Sequence, residues 1–292
     1  MTDLEVSTTE AIADWIETSV LVSPSGHFGR DRLDDLAQTE IGAPSTKVAM
    51  ALDTMAKRAT VLGRSYPFVV SDLAVLRRDG GHAAHYAALL HLTPGSVARQ
   101  TVRASDTAVM GELLEEISEA ALANFWGEGG SAISFGHPSK HGRPESFDQA
   151  VGWLAQRIGV EPGRGYRPPR RKDGGVDVVA WRQFSDRRPG FPIALAQCTI
   201  QGETFTKTTD IDLRLWASWL AMDVDPLSLL VIPGTIRAAG PDWRQLATVV
   251  MVIDRLRLLE LLGRGATFKD NDSPWISETT ALLRAVMRAS EL

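Results

Sequence analysis

Apolar residues recur at helical spacing through the first part of the chain. After Ser7-Thr8-Thr9-Glu10, which reads as a cap and first turn, Ile12, Trp15, Ile16 and Val20 share one helical face. Ser23-Pro24-Ser25-Gly26 breaks that helix. Phe28, Leu33 and Leu36 predict a second, shorter helix. Val48, Ala51, Leu52, Met55 and Ala59 predict a third, with Lys57 and Arg58 on its solvated side. Tyr66 to Val70 is expected to be extended, because proline disfavours helix in the residue before it. His85 to Leu92 is apolar enough for a buried helix, ended by Thr93-Pro94-Gly95.

These elements predict a helical N-terminal domain over residues 1–104, which resembles a small helical adaptor or winged-helix-like module suited to recognition or docking. A second domain is expected over residues 105–292. Val109, Leu113, Leu114, Ile117 and Ala121 form a helical stripe, and Ala132 to Gly136 is extended. Phe147, Ala150, Val151, Leu154 and Ile158 define another helix, stopped by Gly159. The pattern then changes to strand. Val176 to Trp181 is rich in valine and bounded by Gly174 and Gly175; Pro192 to Thr199 is a second strand, close enough for an antiparallel hairpin. Helices are predicted over Ile211–Leu220, Trp243–Leu262 and Ile276–Met287, with a buried strand at Leu229–Ile232. This order indicates an α/β fold with a central sheet.

Composition narrows the function classes. With Lys+Arg 31 and Asp+Glu 36 in 292 residues, the formal net charge is −5. That argues against a protein that coats nucleic acid with a broad basic surface, but leaves room for a nuclease whose substrate groove is only locally basic. One cysteine, Cys198, excludes an intramolecular disulfide and a cysteine-rich zinc site. The N-terminus carries no secretory pattern and no apolar run is long enough to span a bilayer, so a cytoplasmic protein without a membrane partner is expected. His82, His85 and His91 lack the accompanying acid or cysteine of a metal site and read as ordinary histidines.

The candidate chemistry lies in the hairpin. Strand alternation would place Gly175, Asp177 and Val179 on one face, leaving Asp177 as a single acid in an apolar strand. A buried unpaired carboxylate is costly, and a cation or metal is the simplest compensation. Arg182 offers a purely structural partner. Across the hairpin, Gln197 would bring an amide oxygen beside Asp177, a pairing suited to magnesium. Cys198 lacks a histidine beside it and reads as packed thiol. His137 and His141 flank a nearby glycine-rich loop and read as structural or surface residues.

An acid on one strand followed by Gln-Cys-x on the next resembles the PD-(D/E)xK nuclease superfamily, in its Mrr-like glutamine variant. The resemblance covers roughly Val109 to Leu262. It implies a restriction-endonuclease-like central mixed sheet flanked by helices, and a Mg2+- or Mn2+-dependent endonuclease acting on DNA. It assigns Asp177 as the metal-binding acid and Gln197 as the second motif position. The family lysine is replaced by Thr199, and Lys207 in Phe205-Thr206-Lys207 is the candidate for a migrated lysine. Many members add a glutamate from the preceding helix; among Glu112, Glu115, Glu116 and Glu119, Glu115 is preferred as a third ligand because it follows apolar Leu114. Arg167, Arg170, Arg171 and Lys172, in a basic loop before the acidic strand, are candidates for phosphate contacts. Such domains commonly serve bacterial defence against foreign DNA. The departure at Thr199 keeps an alternative open: a catalytically degenerate nuclease fold acting as a binding or scaffold subunit. A protein partner at the N-terminal domain and assembly into a homo-oligomer are also open.

Overall fold

The computed structural model describes residues 8–78, 83–137, 141–167, 172–237, 240–263 and 277–281. The chain forms two compact units. One comprises Met1–Ala108 with Pro233–Arg237 and Gly263–Leu292, and the other comprises Val109–Ile232 with Ala238–Leu262. The division falls close to the expected one at 104/105, but the chain returns to the first unit twice. Residues 263–292, expected in the second domain, belong with the first. No helix among the described residues is long and apolar enough to cross a membrane.

The first unit begins with α1 (Thr9–Val22), capped by the Thr8 hydroxyl, which accepts from the Ala11 N–H at 3.2 Å. Next come β1 (His27–Gly29), α2 (Arg30–Ile41), α3 (Ser45–Leu62), β2 (Phe68–Val70), β3 (Ala74–Arg77), α4 (Ala83–Leu92) and α5 (Val97–Gln100). Only Gly42, Ala43 and Pro44 separate α2 from α3, and Gly42 takes the left-handed conformation that ends α2. The three strands form an antiparallel sheet in the order β1-β3-β2. A helical domain with only Tyr66 to Val70 extended was expected; β2 falls within that stretch, whereas β1 and β3 are three and four residues long, too short for alternation to register.

Arg58 corrects a second expectation. It is buried at 3% exposure rather than solvated. Its guanidinium meets Asp14 at 2.7 Å and Glu17 at 2.8 Å, and donates to the Thr235 hydroxyl at 2.8 Å. The hydroxyls of Tyr66 and Tyr86 donate to the same Glu17 oxygen at 2.6 and 2.9 Å. Burial lowers the Arg58 pKa, but the Glu17 and Asp14 carboxylates outweigh it and hold the guanidinium firmly protonated. The network also ties Pro233–Arg237 to this unit. Among the histidines, His85 and His91 are buried, and His82 lies outside the described residues.

The second unit runs α6 (Thr107–Leu122), β4 (Ser131–Ser134), α7 (Phe147–Ile158), β5 (Val178–Trp181), β6 (Ile193–Cys198), α8 (Leu213–Trp219), β7 (Leu227–Val231), α9 (Pro241–Ala247), β8 (Met251–Ile253) and α10 (Arg255–Leu262). Its five strands lie in the order β4-β5-β6-β7-β8. The β4/β5 and β5/β6 pairs are antiparallel; β6/β7 and β7/β8 are parallel. The sheet is therefore mixed, and the chain is an α/β protein. Phe135, Phe147, Trp216 and Trp219 meet edge to face within an apolar cluster over Val179, Ile193 and Leu195.

The long helix expected over Trp243–Leu262 is instead α9, β8 and α10. The run Thr248-Val249-Val250-Met251-Val252-Ile253 is β-branched at five of its six positions and favours a strand, which pairs with β7. Asp254 then caps α10 by accepting from the Arg257 N–H at 3.2 Å. Of the last predicted helix, residues 277–281 are helical; the rest lies outside the described residues.

Candidate active site

The site forms where β5 begins and β6 ends, at one end of two interior strands of the second unit's sheet. Asp177 immediately precedes β5. Its carbonyl accepts from the Phe135 and Gly136 N–H groups, and its own N–H donates to the Ala196 carbonyl at 2.8 Å. The chain bends here. Alternation was expected to place Asp177 with Val179; instead Val176 and Val179 both join the apolar cluster, and the Asp177 side chain turns into a separate cavity.

That cavity has a volume of about 140 Å³ and is lined by Glu115, Asp177, Gln197 and Lys207 together with neighbouring residues of α6 and of the stretch from Cys198 to Gln201. All four candidate catalytic residues therefore meet in one space. Asp177 is 9% exposed. Its Oδ2 accepts from Gln197 Nε2 at 2.8 Å and from the Cys198 N–H at 2.7 Å. Gln197 Nε2 also donates to the Cys198 carbonyl at 3.2 Å, which commits the amide nitrogen to the protein and keeps its oxygen as the acceptor. Burial pushes the Asp177 carboxyl well above the usual carboxylate range. The Cys198 N–H bond opposes that shift, Glu115 and Asp173 reinforce it, and Lys207 opposes it. Two carboxyl groups, Asp177 and Glu115, and one ammonium, Lys207, thus face one small cavity.

Glycines place the other two side chains. A Cβ at Gly136 would stand 3.1 Å from both carboxylate oxygens of Glu115, so the bare backbone of residue 136 makes room for that carboxylate. Gly175 has φ +81°, and a Cβ there would lie 2.1 Å from the Asp210 carbonyl oxygen. The loop carrying Lys207 therefore docks directly on the Gly175 backbone, and Asp210 holds the Lys207 ammonium at 3.1 Å. The residue types in Asp173-Gly174-Gly175 were visible in the sequence; their function as a seat for the lysine-bearing loop was not. Trp216 fixes the same turn by donating Nε1–H to the Gly174 carbonyl at 3.1 Å.

Thr199 stands at the position where the resemblance led to the expectation of a lysine. It is buried, bonds through its N–H to the Val231 carbonyl at 3.0 Å, and accepts from the Gln201 N–H on its hydroxyl at 3.1 Å. It turns the chain out of β6 toward the Lys207 loop. Glu119, one turn beyond Glu115, does not line the cavity; its Oε2 accepts from the Ser134 hydroxyl at 2.5 Å and contacts His141 Nε2 at 3.0 Å. His137 faces Glu145 at 3.4 Å.

The basic loop is not brought to the cavity. Arg167 spends its guanidinium on Asp148 at 2.7 Å and on the carbonyls of Gly163 and Trp219 at 2.6 and 3.2 Å, so its donors serve the fold. Lys172 is exposed, its carbonyl accepts from Arg143, and it does not line the cavity. Arg170 and Arg171 lie outside the described residues.

Among the described residues no group of three or more His, Cys, Asp or Glu side chains is arranged to hold a metal ion. The cavity offers a different donor set: two carboxylates and an amide oxygen. Magnesium commonly takes one or two carboxylates and completes its shell with water and substrate phosphate, so the set fits an oxygen-seeking divalent ion. Comparison with known protein families, characterised proteins and solved structures finds no match to this chain.

Proposed function

We propose that the chain is a metal-dependent nuclease with a restriction-endonuclease-like fold, hydrolysing phosphodiester bonds of DNA in defence against foreign DNA. The observation that carries this reading is the convergence of Asp177, Glu115, Gln197 and Lys207 on one cavity of about 140 Å³. The order of elements agrees with it: a helix, three antiparallel strands interrupted by α7, then a helix and a parallel strand.

Asp177, Glu115 and the Gln197 amide oxygen would hold Mg2+ or Mn2+. When bound, the ion supplies an activated water and charge relief at the phosphorus. Asp177 is oriented for this by the Cys198 N–H and the Gln197 amide, which fix Oδ2. Lys207, steadied by Asp210, places fixed positive charge where negative charge grows on the phosphate. Partial enclosure strengthens that interaction relative to open water.

Purified protein with magnesium or manganese is expected to cut DNA, and Asp177→Ala and Lys207→Ala to abolish cutting. Full activity in Asp177→Ala would refute the proposal. The second reading, an inactive nuclease fold serving as a scaffold, draws on the structural role of Thr199 at the usual lysine position. It predicts a folded protein that neither cuts DNA nor gains stability from either ion.

A further inference from the structure

We infer that the first unit is a reader of duplex DNA, using α3 as the element that enters the major groove. This extends the nuclease reading by naming double-stranded DNA as the substrate class, but it rests on residues remote in sequence from those lining the cavity.

The first observation is the arrangement of α2 and α3. They are joined by three residues with a glycine in the left-handed conformation, and α3 is followed by the β2–β3 hairpin. A helix-turn-helix of this kind presents its second helix as the reading element. The start of α3 projects from the unit, since Pro44, Ser45, Thr46 and Lys47 are all exposed in succession. A helix terminus whose first N–H groups face solvent favours nearby phosphate.

The second observation is the exposed side of α3. Ser45, Thr46, Ala49 and Asp53 are short, so the helix backbone can approach a surface closely; Met50, 56% exposed, offers apolar contact suited to a thymine methyl. With side chains the helix is about 10–12 Å across, matching a major groove about 12 Å wide.

Charge is the third observation, and it selects the partner. The surface made by α3 and the hairpin carries Lys47, Lys57, Arg64 and Arg78 against Asp53 and Asp72, with Lys57 paired to Asp53 at 2.6 Å. The neighbouring α2 carries the opposite excess, with Asp31, Asp34, Asp35 and Glu40 against Arg30 and Arg32. The unit is thus polarised, and its locally basic side is the one presenting the projecting helix. At the hairpin tip Leu73 is 80% exposed, an apolar side chain of the kind that wedges into a minor groove.

The test uses the full chain as Asp177→Asn in metal-free buffer, with fluorescence anisotropy on a short DNA duplex, its single strand and an RNA duplex of the same sequence. The DNA duplex should bind tightest, because the major groove of A-form RNA is too narrow for a helix. Lys47→Ala/Lys57→Ala should weaken duplex binding by about 10-fold or more and flatten the salt slope by about one unit per lost phosphate contact, with unchanged thermal stability. Unchanged binding in that variant, equal binding of single strand, or self-association through α3 in place of DNA binding would overturn the inference. DNA cutting that depends on Asp177 but is indifferent to α3 would overturn this inference and leave the nuclease reading standing. Duplex binding that depends on α3, in a chain that never cuts, would do the reverse.

Discussion

Replacing Asp177 with asparagine should stabilise the protein when no divalent ion is present. The Asn oxygen can accept the same two N–H bonds, from Gln197 and Cys198, that now fix Oδ2. The substitution removes a buried negative charge facing Glu115. In the unfolded chain the Asp177 carboxyl has its ordinary low pKa; in the fold, burial raises it well above that. Folding therefore takes up a proton. The favourable contribution is complete below the unfolded pKa and is lost as pH rises through the folded one. The penalty on the charged form grows as the pH rises from the unfolded carboxyl pKa toward the folded one. With both hydrogen bonds retained, the variant should gain about 1–3 kcal/mol, the usual range for relieving one imperfectly compensated buried polar group. For a protein of this size that corresponds to roughly 2–12 °C in melting temperature. The gain should shrink steadily as the pH is lowered toward the unfolded carboxyl pKa. Magnesium should reverse the ranking: at 100 times its dissociation constant it would stabilise the natural protein by about 2.7 kcal/mol and the variant hardly at all. The assay is thermal unfolding of both proteins across pH, with chelator and with magnesium. An asparagine variant that is less stable in chelator near neutral pH, or that gains as much from magnesium, would refute the reasoning.

Gly136→Ala should push the Glu115 carboxylate by a few tenths of an ångström, because the new methyl stands 3.1 Å from both its oxygens. Displaced supporting contacts typically cost about 10–100-fold in metal affinity, measurable as a shift in the magnesium titration of melting temperature; an unchanged titration would contradict the packing described. Arg58→Met leaves Asp14 and Glu17 buried without their cation and should cost about 3–5 kcal/mol, read from urea unfolding, whereas an unchanged midpoint would show that the network is not charged.

The hairpin was legible because a single acid in an apolar strand and a glutamine across from it are local signals. The bend at Asp177 was not, since two N–H groups of residues 135 and 136 impose it from a distant strand. Lys207 came from resemblance alone; what positions it, the contact of Gly175 with the Asp210 backbone, joins residues 35 apart and leaves only a glycine as its trace. Arg58 shows the converse. It lies three residues after Met55, on the buried face of α3, but its charge led to the expectation of exposure. The two acids and two tyrosines that settle the matter come from other elements. At β8 the β-branched run was present in the sequence, but a helical pattern on both sides absorbed it.

Because Pro233–Arg237 and Gly263–Leu292 belong with the first unit, the chain leaves that unit and comes back to it twice. During synthesis the second unit is complete once residue 262 has emerged, while the first still lacks its final piece. Thr279, buried and hydrogen-bonded to His91, is part of that piece. The half that begins first on the ribosome is thus the half that finishes last. A nascent chain from which residue 262 has emerged but Thr279 has not would hold the whole of the second unit while the first still lacks the partner of His91.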